Sequence, residues 1–208
     1  MKKTSLQQTF DQFEELLDWY VDFIGRIIRA QRVVGRVADK KELLQALALR
    51  LVSLWETYVE ELLVDCLNRD CTQYGKYMGL RLSKDAPRDV CRAMLTGLGY
   101  LDFRSTADLQ RKARNVLVQR YNPFKAIPKP ARVKIDEFLH VRNYIAHQSM
   151  AAKRALMADY RNNHSLTYFK KPGDFLWATN PKTKRIRLAD YVIALADSWV
   201  AMRAELGC

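Results

Sequence analysis

Residues 39–68, DKKELLQALALRLVSLWETYVEELLVDCLN, decide the fold of this chain. Large apolar side chains recur in this stretch at steps of three and four residues, the periodicity of one face of an α-helix; they are Leu44, Leu47, Leu51, Leu54, Trp55, Tyr58 and Leu62. Asp39, followed three residues later by Glu42, has the form of a capping box. The stretch therefore predicts a long helix that begins near Asp39, runs to about Asn68 and buries one face.

A second amphipathic helix precedes this one. Between about Leu6 and Val34 the apolar residues again recur at steps of three and four, and GRVADKKE (residues 35–42) separates the two patterns. We therefore expect two long antiparallel helices with a short connection. Further helices are predicted downstream, over about 88–98, 105–120 and 189–206.

The whole chain, residues 1–208, is expected to form a single all-α domain, an antiparallel helical bundle. One addition interrupts the helical pattern before the last helix. FLWATNPKTKRIRL (residues 175–188) contains two short β-prone runs around Asn-Pro-Lys-Thr, which predicts a small β-hairpin.

Composition indicates the class of partner. The formal charge is +12, from 35 basic and 23 acidic residues, which favours a polyanion, with nucleic acid ahead of an anionic membrane. The 49% hydrophobic content excludes a disordered chain. No signal peptide or membrane span is expected, so we predict a cytoplasmic protein. The four cysteines form no CxxC pair and have no histidine at zinc spacing, so we predict reduced thiols and no metal site.

The stretch VRNYIAHQS (residues 141–149) is unusual for a buried helix. A proline-rich breaker, YNPFKAIPKP (residues 121–130), precedes a helix expected to run from Ala131 as far as Tyr160. On a helical wheel Arg142 falls within the apolar cluster, and Asn143 and His147 lie together on its flank. A guanidinium in that position is costly unless it is paired or meets an anion. An arginine whose stem packs while its head reaches a carboxylate on a neighbouring helix is the alternative explanation.

The sequence RNYIAH (residues 142–147) resembles the R-x4-6-H motif of the HEPN superfamily. LWETYVEELL (residues 54–63) is similar to the tryptophan-glutamate stretch of the RiboL-PSP type of HEPN domain. The resemblance implies a helical bundle that pairs two-fold and a metal-independent endoribonuclease whose cleft lies between the two copies of the motif. Its implied catalytic residues are Arg142, Asn143 and His147, contributed by each protomer, and it implies no cofactor.

Other residues have weaker claims to a role. Glu56 either supports the motif, as an acidic group on an early helix does in the family, or is a solvated surface glutamate. Tyr144 either stacks on a base or packs in the protein. We interpret His140 as a surface or packing histidine and His164 as a helix-terminal loop residue. Basic residues that either hold RNA phosphates or form a solvated positive face are Lys129, Arg132, Lys134, Lys153 and Arg154, together with KTKRIR in the hairpin.

The resemblance leads to two functional expectations. The first is a homodimeric endoribonuclease that acts as a toxin or as an antiphage, abortive-infection effector. The alternative is a non-catalytic HEPN module that binds RNA, a nucleotide or a protein. The expected partners are RNA, a second copy of the chain and an antitoxin or other regulatory protein. Some HEPN toxins carry a tyrosine two residues after the histidine that a nucleotidyltransferase modifies. That position is Ser149 here, so control by this route is not expected.

Overall fold

The computed structural model describes residues 6–29, 36–97 and 102–208, and its regular structure is helical. The α-helices are, in chain order, α1 (Leu6–Arg29), α2 (Val37–Arg69), α3 (Thr72–Met78), α4 (Arg88–Thr96), α5 (Thr106–Val116), α6 (Lys129–His147), α7 (Met150–His164), α8 (Pro172–Trp177) and α9 (Arg187–Leu206). Two short 3-10 helices, Gln119–Tyr121 and Pro123–Ala126, lead into α6. The described ranges contain no strand, which confirms the predicted all-α class. None of the described helices has the length and apolar character needed to cross a membrane.

An aromatic cluster joins α1, α2 and α9 at the centre of the bundle. The Trp199 ring of α9 lies 5.0 Å from the Phe10 ring and 4.6 Å from the Phe13 ring, measured between centroids. Trp55 of α2 meets the same indole at 5.9 Å. The indole N–H of Trp199 donates to the Phe10 carbonyl at 3.1 Å, so its polar atom is satisfied inside the core. The periodic face of α2 predicted from residues 39–68 is the one that closes over this cluster.

Helix α6, which carries the RNYIAH residues, is surrounded by other helices. It packs against α2, α7 and α9. Its Phe138 ring stacks on Tyr191 of α9, with centroids 4.6 Å apart and planes 7° from parallel. Ile135, Leu139 and Val141 are also buried. Because three neighbours hold α6, its rotation about its own axis is fixed, and that rotation determines where its polar side chains point.

The first two helix boundaries differ from the prediction. Helix α2 begins at Val37, and the N–H of Arg36 donates to the Asp39 carboxylate at 2.7 Å. Asp39 is therefore the third residue of the helix and not its cap, so the predicted box of Asp39 with Glu42 is wrong by one turn. The predicted extension of α1 from Arg29 to Val34 lies outside the described residues.

The predicted hairpin is wrong. Residues 172–177 form the short helix α8, which begins at Pro172 and buries Phe175 and Leu176. A single antiparallel bridge, between Thr179 and Ile186, follows it. The loop between them is shaped by the Asp190 carboxylate, which accepts hydrogen bonds from Asn180 at 2.6 Å, from Thr183 at 3.0 Å and from Arg185 at 3.2 Å. One carboxylate satisfies these polar groups, so no strand pairing is needed to hold the loop.

The predicted continuation of α6 to Tyr160 is also wrong. Helix α6 ends at His147, and Gln148 has a left-handed backbone with φ of 47°. The Ser149 hydroxyl then accepts the Ala152 N–H at 3.1 Å and caps the new helix α7. A serine that caps a helix competes with continuation of the previous one, which explains the break.

The aromatic cluster leads to a test of the fold. We expect Trp199→Ala to lower the free energy of unfolding by about 3–5 kcal/mol, because it removes a fully buried indole and leaves a cavity. Trp19→Ala, at an indole that is 50% exposed, should cost less than about 1 kcal/mol. Urea unfolding followed by circular dichroism measures both. Equal losses in the two variants would contradict the proposed centre of the core.

Candidate active site

Arg142 lies where α6 meets α2, in the last turns of α6. Its side chain is 23% exposed and forms an ion pair with Glu56 of α2. One Nη also donates to the amide oxygen of Asn143 at 2.9 Å. The Nε atom is buried and has no hydrogen-bond partner among the residues that the structure describes. A guanidinium has five N–H donors, so one N–H on each Nη stays uncommitted while Glu56 and Asn143 hold the group in place.

Glu56 is the carboxylate that restrains this guanidinium. Burial raises the pKa of Glu56 above its ordinary value, Arg142 opposes that rise by its charge and hydrogen bond, and the Asp102 carboxylate adds to it. The net rise means that burial changes the pKa of Glu56 more than the ion pair with Arg142 does. Of the two explanations offered for Glu56, the structure places it in contact with the motif and not out in solvent.

His147 is the last residue of α6, and its side chain is exposed. It makes no hydrogen bond or ion pair with any residue in the described ranges. Both ring nitrogens are therefore available to a ligand, as an imidazole that exchanges protons with a substrate requires.

The three residues of the motif do not all lie on one side of α6. At about 100° per residue, Asn143 and His147 lie about 40° apart around the helix, whereas Arg142 and His147 lie about 140° apart. Asn143 contacts Arg142 and shares a side with His147, so it connects the two. One protomer therefore presents its guanidinium and its imidazole in different directions around α6.

Tyr144 packs within the protein on one side. Its ring meets Phe169 edge-on, with centroids 5.1 Å apart. Lys153 of α7 also contacts Phe169, because its Nζ lies over that ring, 4.8 Å from the centroid. Tyr144 also borders a cavity of about 430 Å³ with Gln148 and Lys171. Among the predicted RNA-binding residues, Lys153 therefore lies next to the motif, because it contacts the same phenylalanine as Tyr144 does.

The other predicted RNA-binding residues do not form one surface with the motif. Lys129, Arg132 and Lys134 lie in the first two turns of α6, about 12–20 Å from Arg142 along the helix axis. Arg132 donates to the Gln110 side chain at 3.1 Å. Arg154 is exposed on α7. The five basic residues therefore fall into two groups, one at each end of the motif helix.

Sequence reasoning missed a buried polar network in the middle of α6. Glu137 is 1% exposed and accepts hydrogen bonds from Asn163 and His164 at 2.7 Å each and from the Tyr191 hydroxyl. Burial opposes ionisation of Glu137, but the His164 hydrogen bond, the Lys134 charge and the Tyr191 hydrogen bond together hold its pKa below the ordinary value. His164 ends α7 with a side chain only 8% exposed, so its interpretation as a loop residue is wrong.

His140, by contrast, has the ordinary role expected of it. Its Nδ1 lies 2.6 Å from an Asp159 carboxylate oxygen on α7. That hydrogen bond is the main reason that the pKa of His140 is raised, and burial only partly opposes it. The contact ties α6 to α7 and leaves His147 as the histidine of α6 that has no described partner.

No family model, no curated protein and no solved structure matches this chain. The assignment of a function therefore depends on the residues and geometry given above.

The Glu56–Arg142 pair leads to a test by pH. We expect Glu56→Gln to change the unfolding free energy by less than about 1 kcal/mol at pH 7, because the amide still accepts from Arg142 without a buried charge. Glu56→Ala, which removes the acceptor, should cost about 1–3 kcal/mol.

The sign of the pH effect follows from the raised pKa of Glu56. A carboxyl whose pKa is higher in the folded state favours folding more when it is protonated, so wild type should gain stability relative to Glu56→Gln as pH falls from 7 to 4. Urea unfolding at both pH values measures the difference. A change in the opposite direction would mean that attraction to Arg142 outweighs burial.

Proposed function

We propose that this protein is a metal-independent endoribonuclease of the HEPN type, acting as a homodimer with a composite active site. The observation that carries the proposal is the contrast between two side chains of one motif: Arg142 is held in place by Glu56 and Asn143, while His147 has no partner among the described residues. A positioned cation with uncommitted donors and an accessible imidazole are the two groups that phosphodiester cleavage without a metal needs.

The reaction that these groups support is an internal transfer within RNA. One imidazole takes the proton of the 2′-hydroxyl, whose oxygen attacks the neighbouring phosphorus. The bond from phosphorus to the 5′-oxygen breaks, and a second imidazole gives that oxygen a proton. The products are a 2′,3′-cyclic phosphate and a 5′-hydroxyl. Each protomer has one His147, so the second imidazole comes from the other protomer.

Arg142 stabilises charge in this scheme and does not transfer protons. An N–H on each Nη can donate to the phosphoryl oxygens as negative charge develops on them. Asn143 orients the guanidinium through the 2.9 Å hydrogen bond that its amide oxygen accepts. The group of Lys153 and Tyr144 beside the motif supplies an edge against which the RNA strand can lie, through phosphate contact and base stacking.

The second candidate is a non-catalytic module that binds RNA, a nucleotide or a protein through the same residues. The Glu56 ion pair favours it, because a carboxylate beside the guanidinium competes with a phosphate for the same cation. The biological role that we propose for the catalytic form is a toxin or an antiphage effector. Expression of wild type should then slow host growth, and His147→Ala should relieve that effect.

Cleavage in the presence of EDTA tests the enzyme directly. We expect purified protein to cut total RNA with EDTA present, and His147→Ala and Arg142→Ala each to reduce the rate at least about 100-fold, as loss of an acid–base or charge-stabilising group does. Gel analysis of the RNA and identification of the cyclic-phosphate ends measure the reaction. His140→Gln and Arg50→Gln are matched controls on α6 and α2 that should keep the rate.

Two results would contradict this proposal. Cleavage that persists unchanged in both motif variants would belong to another site or a contaminant. RNA binding without cleavage in wild type would favour the non-catalytic module.

Mixed dimers test the composite site separately. We expect a heterodimer of a wild-type protomer and a His147→Ala protomer to be at least about tenfold less active than wild type, because the shared site then lacks one of its two imidazoles, whereas two independent sites would keep about half of the activity. Co-expression with two different affinity tags isolates the heterodimer for the same assay. A rate of about half that of wild type would contradict a site shared between protomers.

A further inference from the structure

A second positively charged site lies at the opposite end of α6 from His147. A cavity of about 490 Å³ opens between the start of α6, the end of α7 and the start of α9. Its lining includes Lys134, Asn163, His164, Lys182, Thr183 and Arg187, and no carboxylate among the described residues lines it. The cavity lies within the size range of small-ligand sites, and its charged lining side chains are cations.

Arg187 is the unusual member of this set. The residue is only 9% exposed, and its buried Nε has no hydrogen-bond partner within the described part of the chain. Its guanidinium lies over the Phe175 ring, 4.6 Å from the centroid, and makes no hydrogen bond or ion pair with any described residue. A buried cation without a counter-charge is unfavourable, and a protein normally pairs it or supplies an anion.

The nearby acidic side chains do not compensate Arg187. Glu137 is occupied by Asn163, His164 and the Tyr191 hydroxyl. Asp190 is occupied by the loop residues Asn180, Thr183 and Arg185. These two carboxylates hold residues of the cavity wall in place, and among the described residues neither of them forms an ion pair with Arg187, Lys134 or Lys182.

Lys134 adds a second cation that forms no ion pair in the described ranges, although its charge acts on the Glu137 carboxylate from a longer distance. Its Nζ lies 5.7 Å from the centroid of the Tyr191 ring, and no carboxylate pairs with it. Lys182, in the loop before α9, also lines the cavity. Three cations from three parts of the chain therefore surround one space.

We propose that this cavity binds a phosphate group, with Arg187 as its fixed donor and Lys134 and Lys182 as mobile charges around it. A planar guanidinium presents two parallel N–H donors to phosphate oxygens, and the lysines contribute charge without demanding a geometry. The phosphate belongs either to a mononucleotide-sized molecule or to an RNA backbone. Lys134 lies about 12 Å from Arg142 along α6, so the site is separate from the candidate active site and does not depend on the proposed nuclease.

Calorimetric titration with three probes tests the site and identifies the source of the phosphate. The probes are inorganic phosphate, AMP and a 2′-O-methyl RNA pentamer, which lacks the nucleophile for cleavage. We expect saturable binding of at least one probe to wild type, weakened at least about tenfold in Arg187→Met and in Lys134→Met. Lys76→Met removes the same charge from an exposed position on α3 and should leave binding unchanged.

The pattern among the probes separates the two sources. Binding of phosphate or AMP that is lost in both variants supports a small phosphorylated ligand. Loss of pentamer binding alone supports an RNA backbone. No saturable binding of any probe to wild type, or equal binding by wild type and the two variants, would overturn the proposal.

Thermal melting without ligand gives an independent readout. Because the guanidinium is unpaired, Arg187→Met should be at least as stable as wild type, since it keeps the volume and removes a buried charge. Marked destabilisation of that variant would mean that Arg187 serves the fold and would overturn its assignment as a ligand donor. Lys134→Met changes a half-buried position, so its effect on probe binding can be measured whether or not Arg187→Met is stable.

Discussion

The burial of α6 among α2, α7 and α9 is the constraint on which the other features of this protein depend. A helix held on three sides cannot rotate without opening the core, because its buried side chains interlock with those of its neighbours. Stacking of Phe138 on Tyr191 fixes one side, and the meeting of Arg142 with Glu56 fixes another. That single orientation directs Arg142 to α2, Glu137 to the ends of α7 and α9, and His147 outward.

Polar side chains in the middle of α6 have hydrogen-bond partners, whereas some of those at or beside its two ends have none among the described residues. Glu137 in the middle accepts three hydrogen bonds and is 1% exposed, so it is satisfied within the protein and inaccessible to a ligand. His147 at one end has no described partner, and neither the Arg142 Nε at that end nor the Arg187 Nε beside the other end has an acceptor. Buried polar groups in folded proteins are nearly always paired, so an unpaired group that also borders a cavity or lies beside an exposed motif is a candidate for contact with a ligand or a second chain. Both of our functional proposals rest on these exceptions.

Much of the helical organisation could be predicted from local pattern. Spacing of apolar residues correctly indicated α1, α2 and the last helix, because helical periodicity is a property of neighbouring residues. Boundaries were less well predicted. Asp39 and Ser149 both act at helix starts, but which backbone N–H each of them accepts depends on the turn into which the chain has already folded. The hairpin prediction failed because Phe175 and Leu176 are buried in the core as a short helix.

The sequence by itself determined the all-α class, the positive charge and the placing of Arg142, Asn143 and His147 within two turns of one helix. All of these are properties of composition or of neighbouring residues. Only the tertiary structure decided that Glu56, 86 residues away, restrains Arg142, that His164 is buried on Glu137, and that the Arg187 Nε has no acceptor among the described residues. The physical reason is that partners on different helices meet according to the rotation and register of each helix. The packing of the whole core sets that rotation and register, and no local pattern encodes them.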